Sequence, residues 1–282
     1  MRFWIQVTSS YVKIVVEGKC NQIDKSKLNK GDYMPNSIND YRQLIDKPWG
    51  RMFYDIIFRQ LNLSDETPLR ILDFGAGFCV TANHYSEHHI VTAVEPNEEM
   101  IRLSIRDNHF DLIHGGIETL GTYSDNSFDF VICHNVLEYA SNKEQILHEL
   151  ARILKPSGKL SIVKHNFLGK IIANAVFADN PNAALNLLNN GGNKKNLFGR
   201  CIIYDDNYII ELVRKYGLSI ENIFGIRTFF ALSKNEDIKY TQVWYDKMLA
   251  LEMKTCDVHE INSFSFFHHL IFQKEEGQGR AP

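Results

Sequence analysis

The sequence predicts an α/β fold: a mostly parallel sheet with helices on both faces and a helical insertion after the fifth strand. Three observations carry this. Between residues 69 and 164, short apolar runs alternate with amphipathic helical patterns. The first of those runs ends in Gly75-Ala76-Gly77. Past residue 166 the pattern changes to short helices, and long apolar runs return only after residue 217. Strands separated by helix-length segments cannot pair as hairpins, so the connections are crossovers and the strands run parallel.

In chain order, the runs Phe3-Trp4-Ile5-Gln6-Val7 and Val12-Lys13-Ile14-Val15-Val16 predict one or two short strands. Residues 17–40 are polar and read as a linker, so 1–40 form an arm of unassigned role. Pro48 suits a first helical turn, and Met52, Phe53, Ile56, Ile57, Gln60 and Leu61 keep helical spacing behind it. Strands are predicted at 69–74, 90–95, 110–114, 128–134 and 159–164, with helices at about 78–88, 98–107 and 142–154. Lys155-Pro156-Ser157-Gly158 reads as a stop and turn. Helices at about 167–178, 182–189 and 205–216 surround a loop at 189–193. Long strands at 219–232 and 263–273 flank a helix at 237–254. The alternating core spans 65–165, the insertion 166–217 and the completing strands 218–273. Together they make one domain at 41–273, followed by a tail at 274–282.

Composition narrows the function. With 44% hydrophobic and 23% charged residues, the 282-residue chain resembles a globular protein rather than a disordered or fibrous one. It has no bilayer-length apolar run and no cleavable leader pattern. Five scattered cysteines without a Cys-x-x-Cys pair predict free thiols, no zinc site and a cytoplasmic location. The net charge of −3 conceals a segregation: residues 155–230 carry +5 and residues 1–30 carry +4, leaving −12 on the rest. Lys164, Lys170, Lys194, Lys195 and Arg200 are candidates for a phosphate-binding face, or else belong to a solvated surface.

The chemistry concentrates in Asp73-Phe74-Gly75-Ala76-Gly77, where small residues let the backbone turn tightly and approach a ligand. Glu95 ends the next strand, where an acid suits two ribose hydroxyls. A nicotinamide fingerprint shares this layout, but Val80 replaces its third glycine. The set instead resembles the class I S-adenosylmethionine (SAM)-dependent methyltransferases, whose fold is Rossmann-like. Asp73-x-Gly75-x-Gly77 is similar to their first motif, with Cys79 where a further glycine is common. Ser127–Asn135 and Leu154–Leu160 are similar to the motifs at their fourth and fifth strands.

Trp49-Gly50-Arg51, Cys133–Tyr139, Lys164-His165-Asn166, Gly225–Phe229 and Leu249–Glu252 resemble, more narrowly, the tRNA 5-carboxymethoxyuridine methyltransferase family. That resemblance implies methylation of a carboxylate on a modified wobble uridine, with tRNA as partner. It implies that Arg51 grips the methionine carboxylate of SAM and that Gly75, Ala76 and Gly77 line the cofactor beside Asp73. Glu95 then takes the ribose, Ile117 and Glu118 flank the adenine, and His134 lies beneath the sulfonium or amino-acid part. Arg51 also reads as a surface helix charge, and His134 as an ordinary strand-end histidine.

His165, Asn166 and Arg227 are the acceptor-side candidates, with Arg227 expected to pair with an anion or else to span the sheet edge. His268 and His269 interrupt an apolar strand, so alternation places one inward and one outward. Fourth-strand residues Cys133-His134-Asn135-Val136 lack the Asn/Asp-Pro-Pro-Tyr pattern associated with amino-group methylation. That weighs against amino-group methylation of adenine or glutamine, and an acceptor oxygen is what the resemblance implies. A small-molecule carboxyl or hydroxyl methyltransferase and a SAM-binding regulatory protein remain open alternatives.

Overall fold

The run Arg70–Phe74 forms the strand β4, buried on both faces beyond its first residue, as a central parallel strand requires. It lies within a computed structural model that describes residues 3–7, 11–16, 19–24, 37–63, 66–191, 194–196 and 199–276. Upstream, β1 (Phe3–Val7), β2 (Tyr11–Val16) and β3 (Lys19–Asp24) pair as an antiparallel meander. The third strand corrects the expectation of a linker from residue 17. Residues 25–36 of that linker and 277–282 of the tail lie outside the described residues.

Helix α1 (Ile38–Ile45) starts at Ser37, whose hydroxyl accepts from the Asp40 amide at 3.1 Å. Helix α2 (Pro48–Leu61) has the expected proline in its first turn and stops at Asn62, in the left-handed region at φ 38°. Next come α3 (Val80–Tyr85), β5 (Ile90–Glu95), α4 (Glu98–Arg102), β6 (Asp111–His114), α5 (Ile117–Leu120), β7 (Phe128–His134), α6 (Lys143–Ile153) and β8 (Leu154–His165). Insertion helices α7 (Phe167–Ile172) and α8 (Pro181–Asn190) are joined by a π-turn at Ala173–Phe177. A hairpin that the sequence did not signal, β9 (Lys194–Asn196) with β10 (Gly199–Cys201), follows them. The chain ends with α9 (Asp206–Arg214), β11 (Leu218–Ile226), α10 (Phe229–Leu232), a 3₁₀ turn at Asp237–Tyr240, α11 (Gln242–Thr255), α12 (His259–Asn262) and β12 (Phe267–Lys274).

The main sheet has seven strands in the order β11-β12-β8-β7-β4-β5-β6. Strand β12 is antiparallel to both its neighbours, so β11 runs the same way as β8, β7 and β4. Alternate residues face opposite layers. Leu160 and Ile162 pack with Ile146, Leu147 and Leu150 of α6 and with Ile209, Leu212 and Val213 of α9. Val163 packs on the other side with Met52, Ile56 and Ile57 of α2 and with Tyr245 and Leu249 of α11. Because both faces are covered, His268 and His269 are both buried, which corrects the inward-outward expectation.

Several boundaries also move, each for a local reason. The expected strand 219–232 stops at Ile226. Glu252 of α11, 1% exposed, accepts from the amides of Thr228 (2.9 Å) and Phe230 (2.8 Å), which starts α10 instead. The strand expected from 263 begins at Phe267, because Asn166 donates to the Ser263 and Ser265 carbonyls at 2.7 and 2.9 Å. The turn at Lys155–Gly158 is a bulge within β8, with Ser157 at φ 60°. The helix expected at 237–254 divides into the 3₁₀ turn and α11.

Helix α7 sits so close to this segment that a Cβ on Gly169 would overlap the Ser265 carbonyl. Gly169→Ala is therefore expected to cost roughly 1–3 kcal/mol through overpacking. A urea titration would show it as a lower midpoint with an unchanged slope.

Candidate active site

Strand β4 has β5 on one side and β7 on the other, so the crossovers leave in opposite directions and open a crevice at its carboxyl end. The chain beyond β4 folds over β5: the amides of Gly75 and Ala76 both donate to the Val94 carbonyl, at 2.8 and 3.1 Å. Gly75 has φ +75° and Gly77 φ +56°, the left-handed values that favour glycine. A Cβ on Gly75 would overlap Val136, whereas Gly77 faces open space within 4 Å. Cys79 also takes a left-handed φ of 60°, at the position where a glycine is common in the resembling family.

Glu95, 5% exposed, accepts from the Gly77 amide at 2.7 Å and the Asn97 amide at 2.8 Å. Burial raises its pKa, and these two amides oppose the rise. Asp73 is 3% exposed and its Oδ2 has no partner. Burial first, and the charge of Glu95 second, push its pKa up to about 7. Ile117 and Glu118 open α5. Glu118 is exposed and accepts from the Gly116 amide at 2.6 Å, which holds its carboxyl low. Arg51 lies on the first turn of α2, exposed, with its guanidinium 4.9 Å from the Tyr245 ring centre. His134 ends β7. Its Nε2 lies 2.7 Å from the Ser161 hydroxyl, and its buried Nδ1 has no partner.

Two of the three acceptor-side candidates meet around one ring. His165, at the end of β8, lies 4.7 Å from the Phe267 ring centre, and the Arg227 guanidinium 5.5 Å from it. Arg227 follows β11 at φ +58° and donates to the Trp49 carbonyl at 3.0 Å. Its Nε is buried without a partner. Burial lowers its pKa to about 10, so it stays charged at neutral pH. Asn166 does not join them. It is 5% exposed, caps α7 by accepting from the Leu168 amide, and gives its own amide protons to the Ser263 and Ser265 carbonyls. Its side-chain amide is thus engaged within the protein. Lys164 is corrected too: it is 2% exposed and paired with Asp206 at 2.6 Å, so it lies on no phosphate-binding face. Lys170 is half-buried on α7, and the side chains of Lys194, Lys195 and Arg200 lie outside the described residues.

Glu138 has no assigned role in the sequence reading. It is 1% exposed, and its Oε1 accepts from the His165 amide at 2.7 Å and from His165 Nδ1 at 3.0 Å. These bonds outweigh burial and hold its carboxyl low. The available signal was an acid just past the fourth strand, beside the apolar Val136-Leu137. The partnerless polar atoms of Asp73, His134, Asn135, Glu138 and Arg227 all sit at or just beyond the carboxyl ends of the parallel strands. Buried groups left this way need a bound partner. A groove of about 470 Å³ at the opposite edge, around Leu69, Lys155 and Pro156, contains none of them.

A family model described as a methyltransferase domain matches residues 72–162. The chain is 22% identical over 222 residues to the tRNA 5-carboxymethoxyuridine methyltransferase of Escherichia coli O157:H7, covering 76% of this chain and 83% of that one. It is 31% identical over 133 residues to a ubiquinone biosynthesis O-methyltransferase of Maricaulis maris, covering 43% and 52%. A solved SAM-dependent methyltransferase from Thermotoga maritima, described as a possible histamine N-methyltransferase, superposes with a TM-score of 0.56. It has 18% identity over 84% of this chain and 96% of that one. This is a class I SAM-dependent methyltransferase.

The residues of this methyltransferase fit the cofactor: an open glycine turn, a buried acid with spare lone pairs at Glu95, and unpaired polar atoms around them. Asp73 yields a stability test. Its native pKa of about 7 lies above the ordinary 3.8, so the native state holds an extra proton between those values. This contribution to stability therefore falls as pH rises through that window, by at most about 4 kcal/mol. Asp73→Asn is expected to remove that part of the slope, read as the difference in urea-unfolding free energy between about pH 4 and pH 8.

Proposed function

We propose that this methyltransferase transfers the SAM methyl group to a carboxylate oxygen on a modified wobble uridine of tRNA. The observation that carries the reading is the span of one similarity. The match to the tRNA 5-carboxymethoxyuridine methyltransferase covers 222 residues, about twice the SAM-binding core at 65–165. The match to the O-methyltransferase covers 133 residues. The tRNA enzyme's likeness therefore extends well beyond cofactor binding, into the part of the fold that meets an acceptor.

When bound, SAM supplies an activated methyl group for in-line displacement. Gly75, Ala76 and Gly77 line it and Asp73 supports their turn. Glu95 holds the ribose hydroxyls, and Ile117 and Glu118 flank the adenine. Arg51 is the partner for the methionine carboxylate, in the fork geometry that arginine offers. His134 faces the amino-acid end. Arg227, held on the Phe266 and Phe267 rings with its Nε unused, pairs with an anionic acceptor. A carboxylate is already ionised at neutral pH, so the protein's task is alignment and exclusion of water. For tRNA phosphates, Lys170 and the β9–β10 hairpin are the candidates, with Arg200 directly opposite Lys195 in the register.

One observation favours a second reading. His165 gives its Nδ1 proton to Glu138, which leaves Nε2 as a base for a hydroxyl acceptor, the case a small-molecule O-methyltransferase presents.

Deleting the gene and analysing tRNA nucleosides by mass spectrometry separates the two. Loss of a uridine methyl ester with accumulation of its free acid is expected; an unchanged nucleoside profile would reject the tRNA acceptor. Cofactor roles are tested by calorimetric SAM titration. Glu95→Ala and Arg51→Ala are each expected to weaken binding about tenfold or more. Undiminished affinity in both variants would reject the assignment.

A further inference from the structure

A continuous hydrogen-bonded chain crosses the sheet beneath the cofactor crevice. Gln60 Nε2 donates to the Gly225 carbonyl at 2.9 Å. Gln60 Oε1 lies 2.7 Å from His269 Nδ1. His269 Nε2 lies 2.7 Å from the Ser161 hydroxyl, and that hydroxyl lies 2.7 Å from His134 Nε2. The four side chains come from α2, β12, β8 and β7. Ser161 and His269 are fully buried.

The chain has only one consistent polarity. The Gly225 carbonyl can only accept, so it fixes the Gln60 amide with nitrogen toward Gly225 and oxygen toward His269. That oxygen can only accept, so His269 carries its proton on Nδ1. Burial pushes the pKa of His269 down to about 3, so the ring is neutral and its Nε2 is a bare acceptor. The single Ser161 proton must then point at His269, and the Ser161 oxygen accepts from His134 Nε2–H. Burial also holds His134 neutral. Its second nitrogen, Nδ1, is therefore a lone pair, buried and without a partner.

We infer that Gln60, His269 and Ser161 are positioning residues that lock His134 as its Nε2–H tautomer. The bare Nδ1 thereby becomes an acceptor for the ammonium group of SAM. The other tautomer would put an N–H, which repels a cation, at this partnerless position, and would leave Ser161 Oγ without a donor. Gln60 lies four groups away from the crevice yet sets the polarity at its far end. The inference rests on SAM as cofactor and is independent of which acceptor is methylated.

The test starts with the unmodified protein. Two-dimensional ¹⁵N NMR of histidine-labelled protein is expected to show His134 protonated on Nε2 and bare on Nδ1. The opposite tautomer would overturn the inference. Gln60→Leu, which removes both ends of the amide, is expected to give a mixture of His134 tautomers. It should also weaken S-adenosylhomocysteine binding about tenfold. Methylthioadenosine, which lacks the amino-acid part, should bind Gln60→Leu as it binds the unmodified protein. Gln60→Glu keeps an acceptor for His269 and is expected to retain the Nε2–H tautomer. A pure Nε2–H tautomer in Gln60→Leu, or an equal loss for both ligands, would overturn the inference.

Discussion

The Glu95 carboxylate bonded to the Gly77 amide is the interaction on which the rest of the site depends. It ties the end of β5 to the loop that follows β4, and so fixes the glycine turn over the crevice. A second acid, Asp73, is buried nearby on β4, and two carboxylates in an apolar interior resist being ionised together. Glu95 is stabilised by two backbone amides, whereas Asp73 has one oxygen with no partner. The strain is therefore local to the loop, where a ligand with hydrogen-bond donors relieves it. The fold around it, with helices on both faces, holds both acids out of water.

The sheet also carries two polar networks, one on each face. On the face toward α2, Ser161 and His269 continue the chain from His134 to Gln60. On the face toward α9, Lys164 and His268 both reach Asp206, at 2.6 and 2.5 Å. Alternation along β8 and β12 produces this division. Ser161 and Val163 face one layer while Leu160, Ile162 and Lys164 face the other. Every member of the Lys164 group has a partner, which buried charges require. In the first network a single atom, His134 Nδ1, is left over, at the carboxyl end of β7.

The parallel half of the fold was legible in the sequence because its strands are short, uniformly apolar and separated by helices. The positions of Asp73, Gly75 and Glu95 were legible for the same reason, since they sit at strand ends that the pattern locates. The completing half was less so. Strand β11 stops where Glu252 caps α10, and β12 starts where Asn166 releases the chain. Both caps come from far away in sequence, and no local pattern encodes them. The carbonyl contacts of Asn166 gave no sequence signal, because a polar residue after a strand looks the same whether it faces a substrate or carbonyls. Lys164 was misread as surface charge, although period-two counting from Leu160 places it on a covered face.

Removing Lys164 from the basic face changes what the charge segregation means. Of the five cations first grouped together, one neutralises Asp206 in the interior, and its charge does not reach solvent. What persists is a shorter cationic stretch, carried by Lys170 and the hairpin pairing Lys195 with Arg200. It joins β8, whose end bears His165, to α9. On the proposed tRNA reading, a polyanion held there by its phosphates is steered by charge and need not be recognised by sequence. On the same reading, specificity falls to the short-range pair at the crevice, the Arg227 guanidinium and the His165–Glu138 dyad. The first is the group proposed to pair with an anion, and the second is placed to take a proton from an acceptor that carries one.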